Sequence, residues 1–178
     1  MAILTREQVT QDNTPAQSAT LGILSSGAAG IAQTLQFMIA YVKQYRKNPD
    51  IRRFAENIIR DVPAKDSVSE VRAVFKWVRD NIRYTQDIRD VETLKTPDAV
   101  IFSGMGDCDD MSTLVSTLLE AVGYTTRFCA VGVNEPGLYE HVYAQVKLGT
   151  RWISLDCTEQ YPMGWEAPNQ TALMIRHI

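Results

Sequence analysis

The sequence has few of the residues that build disulfide or zinc scaffolds. Its 178 residues include three cysteines and two histidines. Cys108, Cys129 and Cys157 are odd in number and form no CxxC pair, which argues against a zinc ribbon and a secreted disulfide framework. A chain of this length buries roughly 70% of the surface that it exposes when unfolded, so it needs neither device to fold. At least one thiol is left to be explained by packing or by chemistry.

An excess of positive charge and a long apolar run are also missing. Lys and Arg number 18 against 21 for Asp and Glu, a formal net charge of −3, so we expect no nucleic-acid partner. Residues 13–42 are uncharged, but their Gln, Ser, Thr and Gly residues dilute the apolarity, and we expect no membrane span. Glu7, Asp12 and the lack of an apolar run after Arg6 are atypical of a signal peptide, which predicts synthesis in the cytoplasm.

Helical periodicity predicts three helices in the first half of the chain. Residues 1–27 have no sustained period and are predicted to form an extended arm. Apolar residues then recur at steps of three and four over residues 28–45. A second helix is predicted to begin at Asn48-Pro49 and to stop at Pro63, and a third begins at Ser67 with a capping-box spacing.

The second half changes from helical to strand periodicity. Residues 84–105 lose the helical period and predict a long surface connection. A helix is then predicted from Gly106-Asp107-Cys108 to Gly123. Runs at residues 124–133, 139–148 and 151–156 follow as strands separated by turns. Helices followed by an antiparallel meander predict an α+β fold.

Cys108, in the first turn of the predicted helix, is the strongest candidate for chemistry. Unpaired backbone N–H groups and the helix dipole favour a thiolate at this position. His141 opens the central predicted strand, and Asp156 ends the next one. A tight turn near residues 149–150 would pair residues whose numbers sum to about 299. Asp156 would then lie opposite Tyr143, two residues from His141, so that His141 and Asp156 are neighbours. The order nucleophile, base and orienting carboxylate is that of a thiol triad.

Several segments, taken together, resemble the transglutaminase-like superfamily. They are a helix at residues 75–84, Gly106-Asp107-Cys108, and residues 123–127, 141–146 and 152–158. The resemblance covers residues 68–160 and implies a papain-like cysteine-hydrolase fold with Cys108, His141 and Asp156 as its triad. Within the superfamily, the compact chain with a helical N-terminal extension is most similar to transglutaminase-like proteins of tailed phages and prophages.

The corresponding domain organisation has four parts. Residues 1–27 are the arm, residues 28–66 the helical N-terminal extension, residues 67–160 the transglutaminase-like core, and residues 161–178 a C-terminal tail.

Carboxylates flank the candidate nucleophile on both sides. Asp107, Asp109 and Asp110 are most simply a helix cap and an acidic first turn. Each of them opposes thiolate formation, while the helix dipole contributes only about 0.3–1 kcal/mol, so His141 must supply most of the activation. Their spacing matches neither an EF-hand nor a zinc signature, and we predict no metal and no cofactor. Cys129 and Cys157 lie in strand patterns and are predicted to be packing residues.

Two functions of different classes are compatible with these features. The first is a cysteine-dependent acyl-transfer enzyme acting on a peptide or protein amide. Hydrolysis is favoured over transamidation because a small domain has little material for a tunnel that excludes water. The second is a phage virion component, in the tail, neck or baseplate, that uses the fold as a scaffold. In that role residues 1–47 would dock neighbouring virion subunits.

Overall fold

The computed structural model describes residues 18–21, 27–86, 92–135 and 137–178. These residues form five helices and eight strands. The helices are α1 (Ala28–Tyr45), α2 (Pro49–Ile59), α3 (Ser67–Asn81), α4 (Pro97–Ser103) and α5 (Cys108–Ala121). The strands are β1 (Ser18–Leu21), β2 (Arg83–Tyr84), β3 (Glu92–Lys95), β4 (Met105–Gly106), β5 (Thr126–Gly132), β6 (His141–Leu148), β7 (Arg151–Leu155) and β8 (Ala172–His177).

The first three helices form over the segments that their periodicity predicts. At the start of α2, the Asn48 side chain accepts a hydrogen bond from the backbone N–H of Asp50 at 2.8 Å. The start of α3 differs in detail, because the capping residue is Asp66, which accepts from the backbone N–H of Ser69 at 3.1 Å. Ser67 is the first helical residue instead of the cap.

The predicted surface connection over residues 84–105 is wrong from residue 92 onward. This segment contains β3, α4 and β4, and its Leu94, Val100 and Ile101 are fully or almost fully buried. The strand of four residues and the helix of seven are too short to show a period, so the pattern resembles a loop. Gly104, with a φ of 65°, ends α4 in the left-handed conformation that glycine adopts readily.

The main sheet has the order β7-β6-β5-β8 and is antiparallel throughout. Ala144 pairs with Leu155, so the register of β6 and β7 is the one predicted from the turn. The C-terminal segment, predicted as a tail, contributes β8 to the open edge of β5. The mixture of helices with this antiparallel sheet confirms the α+β class.

Helix α5 packs between the other helices and one face of the sheet. Leu114, Leu118 and Leu119 are fully buried in the same core as Ala144 and Leu155. The Ser112 hydroxyl donates a hydrogen bond of 3.1 Å to the backbone carbonyl of Val142 in β6. The amino end of α5 is therefore held against the first residues of β6.

The N-terminal arm predicted for residues 1–27 lies mostly outside the described residues. Its described strand, β1, pairs antiparallel with β3, with Ser18 opposite Lys95. Within the described parts of the chain, no helix is both long and apolar enough to cross a membrane.

Candidate active site

Cys108 is the first residue of α5, as the sequence predicts. Asp107 caps the helix, and its side chain accepts a hydrogen bond from the backbone N–H of Asp110 at 3.0 Å. Because the first N–H groups of a helix have no partner within it, the Cys108 N–H is available to a ligand at this end. The thiol is half-buried, whereas Cys129 and Cys157 are buried.

His141 and Asp156 are in direct contact. Nε2 of His141 lies 2.7 Å from Oδ2 of Asp156. The other carboxylate oxygen of Asp156 accepts from the backbone N–H of Thr158 at 3.1 Å and from its hydroxyl at 2.7 Å. With Asp156 ionised, Nε2 carries the imidazole proton, which leaves Nδ1 as the ring nitrogen that can accept another one.

The Cys108 thiol lies next to the residue that follows His141. The backbone N–H of Val142 interacts with the sulfur and favours the thiolate. The thiol also donates to Oδ1 of Asp109 at 3.5 Å. Burial, Asp109 and Asp107, in that order, nevertheless raise the pKa of Cys108 well above its usual value. Asp107 and Asp109 thus oppose ionisation of the thiol, as expected from the sequence.

The buried cysteines are packing residues with raised pKa values. Burial raises the pKa of Cys129 from 9.0 to about 11 and that of Cys157 well above 9.0. Cys129 lies opposite Tyr143, whose ring is inclined 30° to that of His141 at a centroid distance of 6.3 Å. The Gln170 side chain also hydrogen-bonds to Tyr143. The C-terminal segment therefore contacts the face of the sheet that carries His141.

Two contributions to this site were not predicted. The backbone N–H and hydroxyl of Thr158 both donate to the second carboxylate oxygen of Asp156. Thr158 follows Asp156 by two residues, the spacing at which an Asp side chain accepts from the backbone in an Asx-turn. Asp110, predicted to belong to an acidic first turn that favours the helix dipole, is fully buried and pairs with Lys95. No sequence spacing links Lys95 to Asp110, so this pair could not be found without the fold.

Among the described residues, no group of three or more His, Cys, Asp or Glu side chains is arranged to hold a metal ion.

A groove of about 440 Å³ lies at the opposite end of α5, between Arg46, Lys47, Arg52 and residues 120–123. It is separated from Cys108 by the length of the helix, about 20 Å at 1.5 Å per residue.

Helix α5 begins with a cysteine and packs on an antiparallel sheet, and neighbouring His and Asp side chains lie at the end of two strands of that sheet. This arrangement is a papain-like architecture. The sequence matches the model of the transglutaminase-like superfamily over residues 52–157, well over half of the chain. The chain belongs to the transglutaminase-like superfamily.

Solved structures share this fold at low sequence identity. A candidate cysteine protease from Cytophaga hutchinsonii matches with a TM-score of 0.54 and 17% identity, over 79% of this chain and 51% of that chain. LapG of Legionella pneumophila, in its calcium-bound form, matches with a TM-score of 0.53 and 18% identity, over 76% of this chain and 80% of that one. A candidate protease from Parabacteroides distasonis matches with a TM-score of 0.55 and 11% identity, over 84% of this chain and 36% of that one.

The chain thus spans about half the length of the first of these proteins and about a third of the length of the last. No curated protein sequence matches the chain. At these identities the structural likeness establishes the fold. Membership of the transglutaminase-like superfamily agrees with the class of enzyme that the sequence predicts, a thiol hydrolase or acyltransferase.

Proposed function

We propose that this protein is a cysteine-dependent hydrolase of peptide or amide bonds, with Cys108 as nucleophile, His141 as base and Asp156 as orienting carboxylate. The contact of 2.7 Å between His141 Nε2 and Asp156 Oδ2 carries the proposal. His141 is the first residue of β6, Asp156 follows the last residue of β7, and the backbone N–H of Val142, next to His141, contacts the Cys108 sulfur. A buried carboxylate that already receives both Thr158 donors is well suited to hold an imidazole in one tautomer.

The proposed reaction begins with transfer of the thiol proton to Nδ1 of His141. The sulfur attacks the carbonyl carbon, and the backbone N–H of Cys108 donates to the oxyanion that forms. The C–N bond then breaks as His141 returns the proton to the leaving amine. Water, deprotonated by the same histidine, attacks the thioester, and the acid leaves as the thiol regains its proton.

A peptide is the favoured substrate class. Two of the structures that share the fold are described as candidate proteases, which supports peptide hydrolysis over other acyl transfers. A chain of 178 residues has little material to exclude water from the thioester. Water is then the acyl acceptor expected at the second step, rather than an amine.

Substitution of the three cysteines tests the nucleophile. Cys108→Ala should abolish hydrolysis of 4-nitrophenyl acetate and of a mixed peptide library, whereas Cys129→Ala and Cys157→Ala should retain it after correction for the folded fraction. Mass spectrometry of the trapped acyl-enzyme should place the acetyl group on Cys108. Full activity in Cys108→Ala would refute the proposal.

A second role, as a virion component of a tailed phage, is supported by the N-terminal extension. Residues 1–51 lie outside the superfamily match, and α1 exposes Phe37 on its surface. In this role residues 1–47 would dock neighbouring subunits. Purified particles should then contain the protein, and particles carrying Cys108→Ser should infect normally if the role is structural alone.

A further inference from the structure

Asp110 is a fully buried carboxylate, two residues after Cys108, that the proposed mechanism does not use. Its Oδ1 accepts a hydrogen bond from the backbone N–H of Lys95 at 2.7 Å, and its Oδ2 accepts from Nζ of Lys95 at 2.6 Å. The Lys95 side chain is 24% exposed, so the ammonium reaches inward from the surface. Burying a carboxylate is costly, and a buried ion pair is weak evidence for stability alone.

The Asp110 side chain also accounts for the glycine two residues before the nucleophile. A Cβ on Gly106 would lie 2.7 Å from Cβ of Asp110 and 3.3 Å from its Oδ2. The backbone of β4 therefore rests directly against the Asp110 side chain. Through Lys95 and Gly106, one side chain in the first turn of α5 contacts both β3 and β4.

Activation of the thiol by charge does not explain this arrangement. A carboxylate near Cys108 disfavours the thiolate, and Asp107 and Asp109 already raise the pKa of the thiol, after burial as the largest cause. Lys95 neutralises Asp110, so the pair adds little net charge to the site. The pair can instead affect the reaction through geometry, because it fixes the position of the chain segment that leads into Cys108.

We propose that Asp110 and Lys95 are positioning residues, whose buried pair holds β3 and β4 against the first turn of α5 and so aligns the Cys108 thiol and N–H with His141. The inference rests on the proposed function, since alignment matters only if Cys108 reacts. Misplacement of reacting groups by about 1 Å can cost a hundredfold in rate.

The far end of the same helix offers a matched control. Glu120 is 6% exposed in its side chain, pairs with Arg46 at 2.7 Å, and accepts from the backbone N–H of Thr126 at 2.7 Å. It is thus a second buried carboxylate that links α5 to another element. Removing it should cost stability without disturbing Cys108.

The test compares the double variants D110N/K95M and E120Q/R46M in the full chain, with 4-nitrophenyl acetate as the probe. D110N/K95M changes the local net charge by zero, and we expect its kcat to fall about tenfold to a hundredfold with little change in KM. The pH midpoint for iodoacetamide labelling of Cys108 should stay within a few tenths of a unit. E120Q/R46M should lower the melting temperature and leave kcat unchanged.

Lys95→Arg keeps a cationic donor at this partly exposed position and should recover most of the activity that Lys95→Met loses. Because Lys95 reaches in from the surface, these single variants test the inference even if D110N/K95M does not fold. Wild-type kcat in D110N/K95M or Lys95→Met would overturn it, as would a loss of kcat that follows a shifted labelling midpoint. Wild-type activity in Cys108→Ala would instead overturn the proposed function itself.

Discussion

At the scale of single residues, the proposed chemistry depends on a thiol whose ionisation is opposed by two carboxylates at the start of its own helix. The Val142 N–H lowers the pKa of Cys108, whereas burial, Asp109 and Asp107 raise it. Its pKa is therefore raised, and little thiolate exists at neutral pH without a proton acceptor. In the proposed mechanism, His141, held by its contact with Asp156, is that acceptor.

Replacement of Asp109 should increase the reactivity of this thiol. In Asp109→Asn the charge that raises the pKa of Cys108 is gone, so the thiolate fraction at pH 7 rises, and one pKa unit corresponds to about tenfold. We expect iodoacetamide to label Cys108 about threefold to tenfold faster, as measured by mass spectrometry. Asp61→Asn, at a remote surface carboxylate, is the control, and equal or slower labelling of Asp109→Asn would contradict the prediction.

Replacement of Asp156 should lower activity while the fold persists. Asp156→Asn keeps the size of the side chain but removes the charge that holds Nε2–H of His141, so we expect kcat for 4-nitrophenyl acetate to fall about a hundredfold or more. Thr158→Val removes one hydroxyl donor to the carboxylate and should have a smaller effect in the same direction. An unchanged kcat in Asp156→Asn would show that the carboxylate does not orient the histidine.

At the scale of secondary-structure elements, β8 completes the sheet that carries the site. It covers the edge of β5 over residues Arg127 to Gly132 and brings Met174 and Ile175 against two apolar clusters. Without it, β5 would present a row of unpaired backbone groups beside buried apolar side chains.

Removal of residues 172–178 should therefore destabilise the whole chain. Lost burial of these aliphatic side chains costs about 3 kcal/mol or more, which corresponds to a fall of roughly 6–12 °C in melting temperature. Circular dichroism and size-exclusion chromatography would measure the loss and any aggregation. Leu173→Ser, at a position 52% exposed, is a control that should change little. A truncated chain with the original melting temperature would contradict the role of β8.

At the scale of the whole molecule, buried thiols link stability to alkaline pH. Burial raises the pKa of Cys129 from 9.0 to about 11. A group whose folded pKa is raised stabilises the fold fully below the unfolded pKa and loses this contribution as pH rises through the folded value. The window for Cys129 is therefore pH 9 to about 11.

Urea unfolding at pH 8 and pH 11 tests this linkage. The free energy of unfolding should fall by about 2 kcal/mol from Cys129 alone. In Cys129→Ser, whose hydroxyl does not titrate in this range, the fall between the two pH values should be smaller by that amount. An identical fall in both proteins would show that Cys129 does not contribute.

Much of the fold follows from local pattern. The helix over residues 28–45 agrees with its apolar period, and the helix over residues 49–59 agrees with its Asn48-Pro49 start. The pairing of Ala144 with Leu155 agrees with a short turn. Each of these signals extends over a few residues. The contact of His141 with Asp156 follows from the same register. Strand β3 and helix α4 could not be predicted from the sequence, because four and seven residues are too few to reveal a period.

The amino-acid sequence by itself determined the α+β class, the superfamily resemblance, and the choice of Cys108, His141 and Asp156, because each depends on residue type and near spacing. Only the tertiary structure decided that Asp110 is buried against Lys95 and Gly106, and that the C-terminal segment pairs with β5. These contacts join segments whose separation along the chain carries no pattern. They are selected by the burial of apolar surface and the pairing of buried polar groups, which exist only once the chain is folded.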